Sequence, residues 1–225
     1  FMADFGEGLP FDAVLHEGDA EQFHNRWPAL WADTVRQGCQ LAEQPGCLTW
    51  FRSGSLGMGD ELAWNGDQLV NYGADDGLAS ALLGTFSAGV SGWPLIHSDI
   101  GGYTSVNAVV KDYVRSPELL QRWAEYAAFG VLMRTHEGNR PDANRQVYDA
   151  AERAPFGRMT KVFAALEPYR AQVLAEIPPG GEVGRGEQQR RQEQDKDHLR
   201  LEPVLRQHAR IHESQREAAH DQQDR

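Results

Sequence analysis

Two carboxylates stand out by position. Asp4 follows an apolar, strand-like start, FMA, and Glu7 lies just across Gly6. Asp67 sits after a glycine in WNGDQ, beyond a second apolar run. Two carboxyl groups held about 5–5.5 Å apart can cleave a glycosidic bond with retention of configuration. One attacks the anomeric carbon; the other, kept protonated, gives its proton to the leaving oxygen and later takes one from water. Asp4 and Asp67 suit these roles if different strands deliver them to one place. By residue type alone, Asp4 is more often a cap or turn residue, and Asp67 after its glycine is a turn residue by default. His97, Asp99 and His136 carry metal-ligating groups, but their spacing follows no metal motif, and neither metal nor organic cofactor is expected.

Strands must therefore position this chemistry. Apolar runs predict strands at 1–4, 48–52 (LTWFR), 61–66, 95–97 and 130–133. Helical spacing predicts helices at 21–37, 78–90, 117–129 and 156–169. Pro28 must mark a helix start or a kink. Asp75 or Asp76 is placed to cap the helix at 78–90. Strands alternating with helices imply βαβ units and a parallel sheet. Polar residues follow the runs directly: Asp4, Arg52, Asp67, Asp99 and His136. A TIM barrel places catalytic groups at these C-terminal strand ends. A dinucleotide-binding sheet would need a glycine-rich loop opening a helix, which GVSG and DIGG are too short to provide. Four or five strands cannot close an eight-stranded barrel. The expected fold is α/β, with residues 1–170 forming part of a (β/α)₈ TIM barrel, roughly strands 4 to 8.

Composition bounds the partners. The 225 residues carry a formal charge of −11, against the basic patch of a nucleic-acid binder. No run approaches the roughly 18 apolar residues that span a bilayer. All six tryptophans lie at or before Trp123, and Tyr169 is the last aromatic. Residues 171–225 are polar and rich in Gln, Glu and Arg, reading as a disordered tail, with LRLEPVLRQHARI as a short amphipathic helix in a minority reading. Cys39 and Cys47 have no zinc or redox spacing and are read as ordinary thiols. That favours a reducing, cytoplasmic setting.

Five short words occur in one order, each at a predicted strand end: ADFGE, RSGSLG, WNGDQ, HSDIGGYT and MRTHEGNRP. Together they resemble glycoside hydrolase family 31, the retaining α-glycosidases, and within it the sulfoquinovosidase branch, over residues 1 to about 169. The resemblance implies Asp4 as nucleophile and Asp67 as general acid/base. It implies Glu7 as a supporting carboxylate, Arg52 beside the nucleophile, and Asp99 and His136 around the sugar. Trp64 would wall the acid/base with apolar surface. Tyr103, where glucosidases of the family carry Phe, would help hold a sulfonate, since a phenol donates a hydrogen bond that a phenyl ring cannot. The Gly101–Gly102 pair would let this loop turn sharply beside the sugar. The implied partner is a small glycoside, with a homo-oligomeric full-length parent as a further expectation.

Departures accompany the likeness. Gly8 stands where the branch carries an aromatic residue, and Phe1 where it carries Trp. The branch's direct sulfonate ligands and its N-terminal β-sandwich fall upstream of Phe1, so the chain reads as a fragment. The switch into the polar tail reads as a frameshift or a misplaced gene end. Two other readings stand beside the sulfoquinovosidase: an α-glucosidase or α-xylosidase of the same family, and an inactive truncated remnant.

Overall fold

The strands of this computed structural model are short and nearly all apolar, and each is followed by a polar segment. β1 (Met2–Ala3), β2 (Trp50–Phe51), β3 (Leu62–Trp64) and β4 (Ile96–His97) form one sheet in chain order, every neighbouring pair parallel. The described residues are 1–44, 46–55, 58 and 61–176. Ala3 pairs with Phe51, Phe51 with Ala63, and Trp64 with His97. Asp4 and Arg52 are thus the first residues beyond two paired positions and emerge side by side. Parallel neighbours need crossovers, and helices supply those from β1 to β2 and from β3 to β4.

α1 (Ala20–His24) and α2 (Trp27–Leu41) link β1 to β2. Asp19 caps α1 by accepting from the Glu21 amide. Pro28 lies in the first turn of α2, where its missing N–H costs nothing, so it starts a helix rather than kinking one. Pro28, Ala32 and Val35, at helical spacing, face inward. Ala32 and Val35 meet Ala3, Phe51 and Met58 in one core, with Trp31 and Trp93 against it. α3 (Leu78–Val90) follows β3, as predicted. Its cap differs: Gly77 takes that place without a side-chain bond, and the Asp76 carboxylate accepts from the Leu69 amide instead. The loop folds back so tightly that a Cβ on Gly77 would lie 2.2 Å from the Asn71 side chain. Leu83, Phe86 and Val90 of α3 are exposed.

Beyond β4 the chain makes a small antiparallel hairpin, β5 (Val106–Asn107) and β6 (Asp112–Tyr113), which the sequence pattern does not predict. α4 (Pro117–Ala127) then buries Leu119, Leu120, Trp123, Ala124 and Ala127, a single helical stripe. They pack with Ile100, Val70 and Ala81 in the second core. Ser116 caps α4 by accepting from the Leu119 amide, and Pro117 opens it.

The strand predicted at 130–133 does not form. Only a single parallel bridge, Ile100 to Thr135, follows α4, with the Ile100 amide donating to the Arg134 carbonyl. Backbone pairing reaches the sheet only at the residues carrying the polar cluster. The helix predicted at 156–169 is two, α5 (Arg153–Ala165) and α6 (Glu167–Glu176). The remainder of the predicted tail, from residue 177, lies outside the described residues.

Cys39 and Cys47 are joined in a disulfide across the turn between α2 and β2. This corrects the reading of two free thiols: the turn brings their Cα atoms to 6.0 Å, within bonding reach. The argument for a reducing compartment falls with it. No described helix is long and apolar enough to cross a membrane.

Candidate active site

The groups that follow the strands meet at one end of the sheet. Arg52, beyond β2, is their hub. Its Nε lies 3.3 Å from Asp4 Oδ1 and donates to Glu7, while Nη1 donates to Asp67 Oδ2 at 3.3 Å. One guanidinium therefore binds three carboxylates from two segments, the loop after β1 and the loop after β3. Partial burial opposes its charge, but the Glu7 hydrogen bond and the charges of Asp4, Glu7 and Asp67 outweigh this and raise its pKa.

The turn after Asp4 is made by an unusual residue. Phe5 has φ 63°, a left-handed backbone that a bulky side chain seldom adopts, and Gly6 follows at 81°. The Phe5 amide donates to Asp4 Oδ1 at 2.8 Å, and Ser53 Oγ donates to the Phe5 carbonyl at 3.0 Å. The reversal carries Glu7 back over Arg52, whose guanidinium lies 4.8 Å from the Phe5 ring centre.

A second, deeper cluster lies beside it. Asp99, 1 % exposed, accepts from Arg134. Arg134 Nε also donates to His97 Nε2 at 3.1 Å, so His97 Nδ1 carries the proton and donates to the Ala63 carbonyl at 2.9 Å. The guanidinium of Arg134 faces the rings of Trp50 and Trp64, at 5.4 and 5.8 Å. Burial pushes Asp99 up to about 6 even though Arg134 pulls it down. Burial first, then the Arg134 charge, holds His97 down at about 4. Burial likewise lowers Arg134. His97 is a packed histidine whose ring nitrogens are both engaged.

The third part is a ring pair. Tyr103 and His136 meet edge to face with centres 4.9 Å apart. Burial, then the charges of Arg134 and Arg115, lower the pKa of His136, and its Nδ1 accepts from the Gly138 amide at 3.0 Å. The amides of Tyr103 and Thr104 both donate to the Gln68 carbonyl at 2.9 Å, and Thr104 Oγ1 donates to the Asp67 carbonyl at 2.8 Å. The acid loop and the tyrosine loop are thus stitched together.

The structure places Asp4, Glu7, Arg52 and Asp67 in the first cluster, Trp64 and Asp99 in the second, and Tyr103 and His136 in the third. Trp64 is buried under Arg134, three residues before Asp67. Sequence reasoning missed Arg134, although it stands two residues before His136 on an extended segment, where alternation puts both on one face. It also missed Trp50 and Phe5. Among the described residues no cluster of three or more His, Cys, Asp or Glu side chains could hold a metal ion. Chemically, the site offers clustered carboxylates sharing one cation, hydrogen-bonding groups around them, and aromatic surface on one side.

Residues 3–172 match the family model described as the glycosyl hydrolases family 31 TIM-barrel domain. The chain is similar to the sulfoquinovosidase of Agrobacterium fabrum, strain C58, with 44 % identity over 186 residues, covering 80 % of this chain and 27 % of that protein. With the sulfoquinovosidase of Escherichia coli K12 the identity is 46 % over 180 residues, covering 78 % and 26 %. Among solved structures, a family 31 sulfoquinovosidase from E. rectale in complex with the aza-sugar inhibitor IFGSQ superposes with a TM-score of 0.70 at 42 % identity, covering 78 % of this chain and 27 % of that one. The chain spans about a quarter of the length of these relatives.

Proposed function

Because the chain belongs to glycoside hydrolase family 31, we propose that its site serves the retaining hydrolysis of α-sulfoquinovosides. The observation that carries this is the Arg52 hub, which gathers Asp4 and Glu7 from one loop and Asp67 from another around one cation. The similarity to sulfoquinovosidases supports the choice of sugar.

The Asp4 carboxylate, beside Arg52, attacks the anomeric carbon. Asp67 gives a proton to the departing oxygen, leaving a glycosyl ester on Asp4 and a free alcohol. Asp67 then takes a proton from water, whose oxygen attacks the same carbon and releases Asp4. Arg52 Nη1 donates to Asp67 Oδ2, so giving a proton from that oxygen in the first step requires Asp67 to part from Arg52. The 3.3 Å contact is the looser one, since Glu7 holds the guanidinium more closely. His136 hydrogen-bonds ring hydroxyls, buried Asp99 acts through Arg134, Trp64 backs that guanidinium with apolar surface, and the Tyr103 phenol turns toward the sulfonate.

The test is mechanism-based labelling. A fluorinated α-sulfoquinovosyl fluoride should leave its sugar on the peptide containing Asp4, and Asp4→Asn should abolish the label. Labelling by the glucosyl or xylosyl analogue instead would favour a neutral-sugar enzyme. Label on no peptide from the unsubstituted chain would reject catalysis by this chain alone.

A further inference from the structure

Arg115 lies outside all three clusters yet touches the backbone that carries two of their members. It sits between β6 and α4, only 2 % exposed. Its Nε donates to the Gly101 carbonyl at 3.1 Å, Nη2 to the Gly102 carbonyl, and Nη1 to the His136 carbonyl at 2.8 Å. Longer contacts run from Nη1 to the Arg145 carbonyl and Gln146 Oε1, at 3.4 and 3.5 Å. Its own amide donates to Asn144 Oδ1 at 3.1 Å. Removing a cation from water is costly unless its donors are met, and here backbone carbonyls from several loop positions meet them.

The glycines are fitted to this cation. Gly101 and Gly102 have φ of 91° and 75°, which aims two successive carbonyls at the same guanidinium. A Cβ on Gly101 would lie 2.6 Å from Arg115 Cδ and Nε. Tyr103 is the next residue after these carbonyls, and His136 itself supplies one of the accepting carbonyls. We propose that Arg115 is a positioning residue that presses Tyr103 and His136 together as one recognition wall, acting through their backbone without touching the sugar. A planar fork suits this task where a point charge does not, because its donors lie at fixed angles. The backbone link from the Asn139 amide to the Tyr103 carbonyl, 3.1 Å, closes the far side of the same wall. The wall's role toward sugar rests on the reading above; the clamp itself does not.

The test uses the full 225-residue chain with its His and Tyr rings isotope-labelled for NMR. The unsubstituted chain should show contacts between the Tyr103 and His136 ring protons. Arg115→Lys keeps the charge and removes the fork. It should lose those contacts, while the Trp123 indole proton, bonded to Ser98 in the core, keeps its signal. Ring contacts that persist unchanged in folded Arg115→Lys overturn the clamp. If this variant fails to fold, couplings across the hydrogen bonds from Arg115 to the Gly101 and His136 carbonyls decide in the unsubstituted chain. A freely rotating guanidinium there overturns the proposal. Added sulfoquinovose is read separately: silence at Tyr103 and His136 would remove the sugar reading and leave the clamp judged on ring contacts alone.

Discussion

At the scale of single residues, the deeper cluster holds two groups whose titrations oppose each other. Asp99, raised to about 6, keeps a proton in the fold over a range where the unfolded chain has lost it. Its stabilising contribution is full below its ordinary value and is lost as pH rises through about 6. His97, lowered to about 4, does the reverse: the unfolded chain binds its proton first, so stability is lost as pH falls from about 6.5 toward 4. Each shift of about two pH units corresponds to roughly 3 kcal/mol. Between pH 4 and 6 the two slopes cancel, so urea midpoints should vary little there from this pair. Asp99→Asn should expose the histidine, with stability rising by roughly 3 kcal/mol from pH 4 to 6.5. His97→Asn should tilt the profile the other way over pH 4 to 6. Parallel profiles for the two variants would refute the pairing.

Elements tell how the site is held. Gly102→Ala should cost roughly 1–3 kcal/mol in stability for its left-handed backbone alone. The new Cβ would also lie 3.0 Å from the Leu69 carbonyl and 3.1 Å from that of Gln68, backbone atoms that cannot swing aside. A melting temperature equal to that of the unsubstituted chain would argue that the loop is looser than described. Ser116→Ala should cost about 1 kcal/mol through the lost cap of α4, read by the same denaturation. Much of this layer was legible in the sequence. Alternating apolar runs ended in polar words, so β1 to β4 and the placement of Asp4, Arg52 and Asp99 followed from local pattern. The predicted strand at 130–133 failed because its pairing depends on where Ile100 comes to lie, which no local run encodes. Phe5 in a left-handed conformation breaks its own propensity, and Arg115 gives no local sign of the carbonyls it meets. Both are fixed by tertiary contact, as is the cystine.

For the molecule as a whole, fastening and chemistry occupy opposite ends of the sheet. The cystine closes a loop with a separation of 8 residues ahead of β2, whereas Arg52 leaves its far end. Replacing both cysteines by serine should lower stability by about 2–3 kcal/mol, from loop length alone. Chemical denaturation under reducing and oxidising conditions would check this, with no difference in the native chain counting against it. Among the described residues the four-stranded sheet does not close on itself, and an edge strand presents unpaired backbone groups. The isolated chain should therefore turn over an α-sulfoquinovoside far more slowly than a full-length relative assayed beside it.

The pairing of Ala3 with Phe51 and of Phe51 with Ala63 acts as a ruler laid across the sheet. Asp4 and Arg52 project one step past that ruler. A single inserted residue within β1 or β2 would slide one of them along by about 3.3 Å and turn it to the opposite face. Length changes on the helical side would leave the ruler untouched. Where homologues differ in length, the gaps should gather between the helices and stay out of these strands, so that insertions record which half of each βα unit is free to drift.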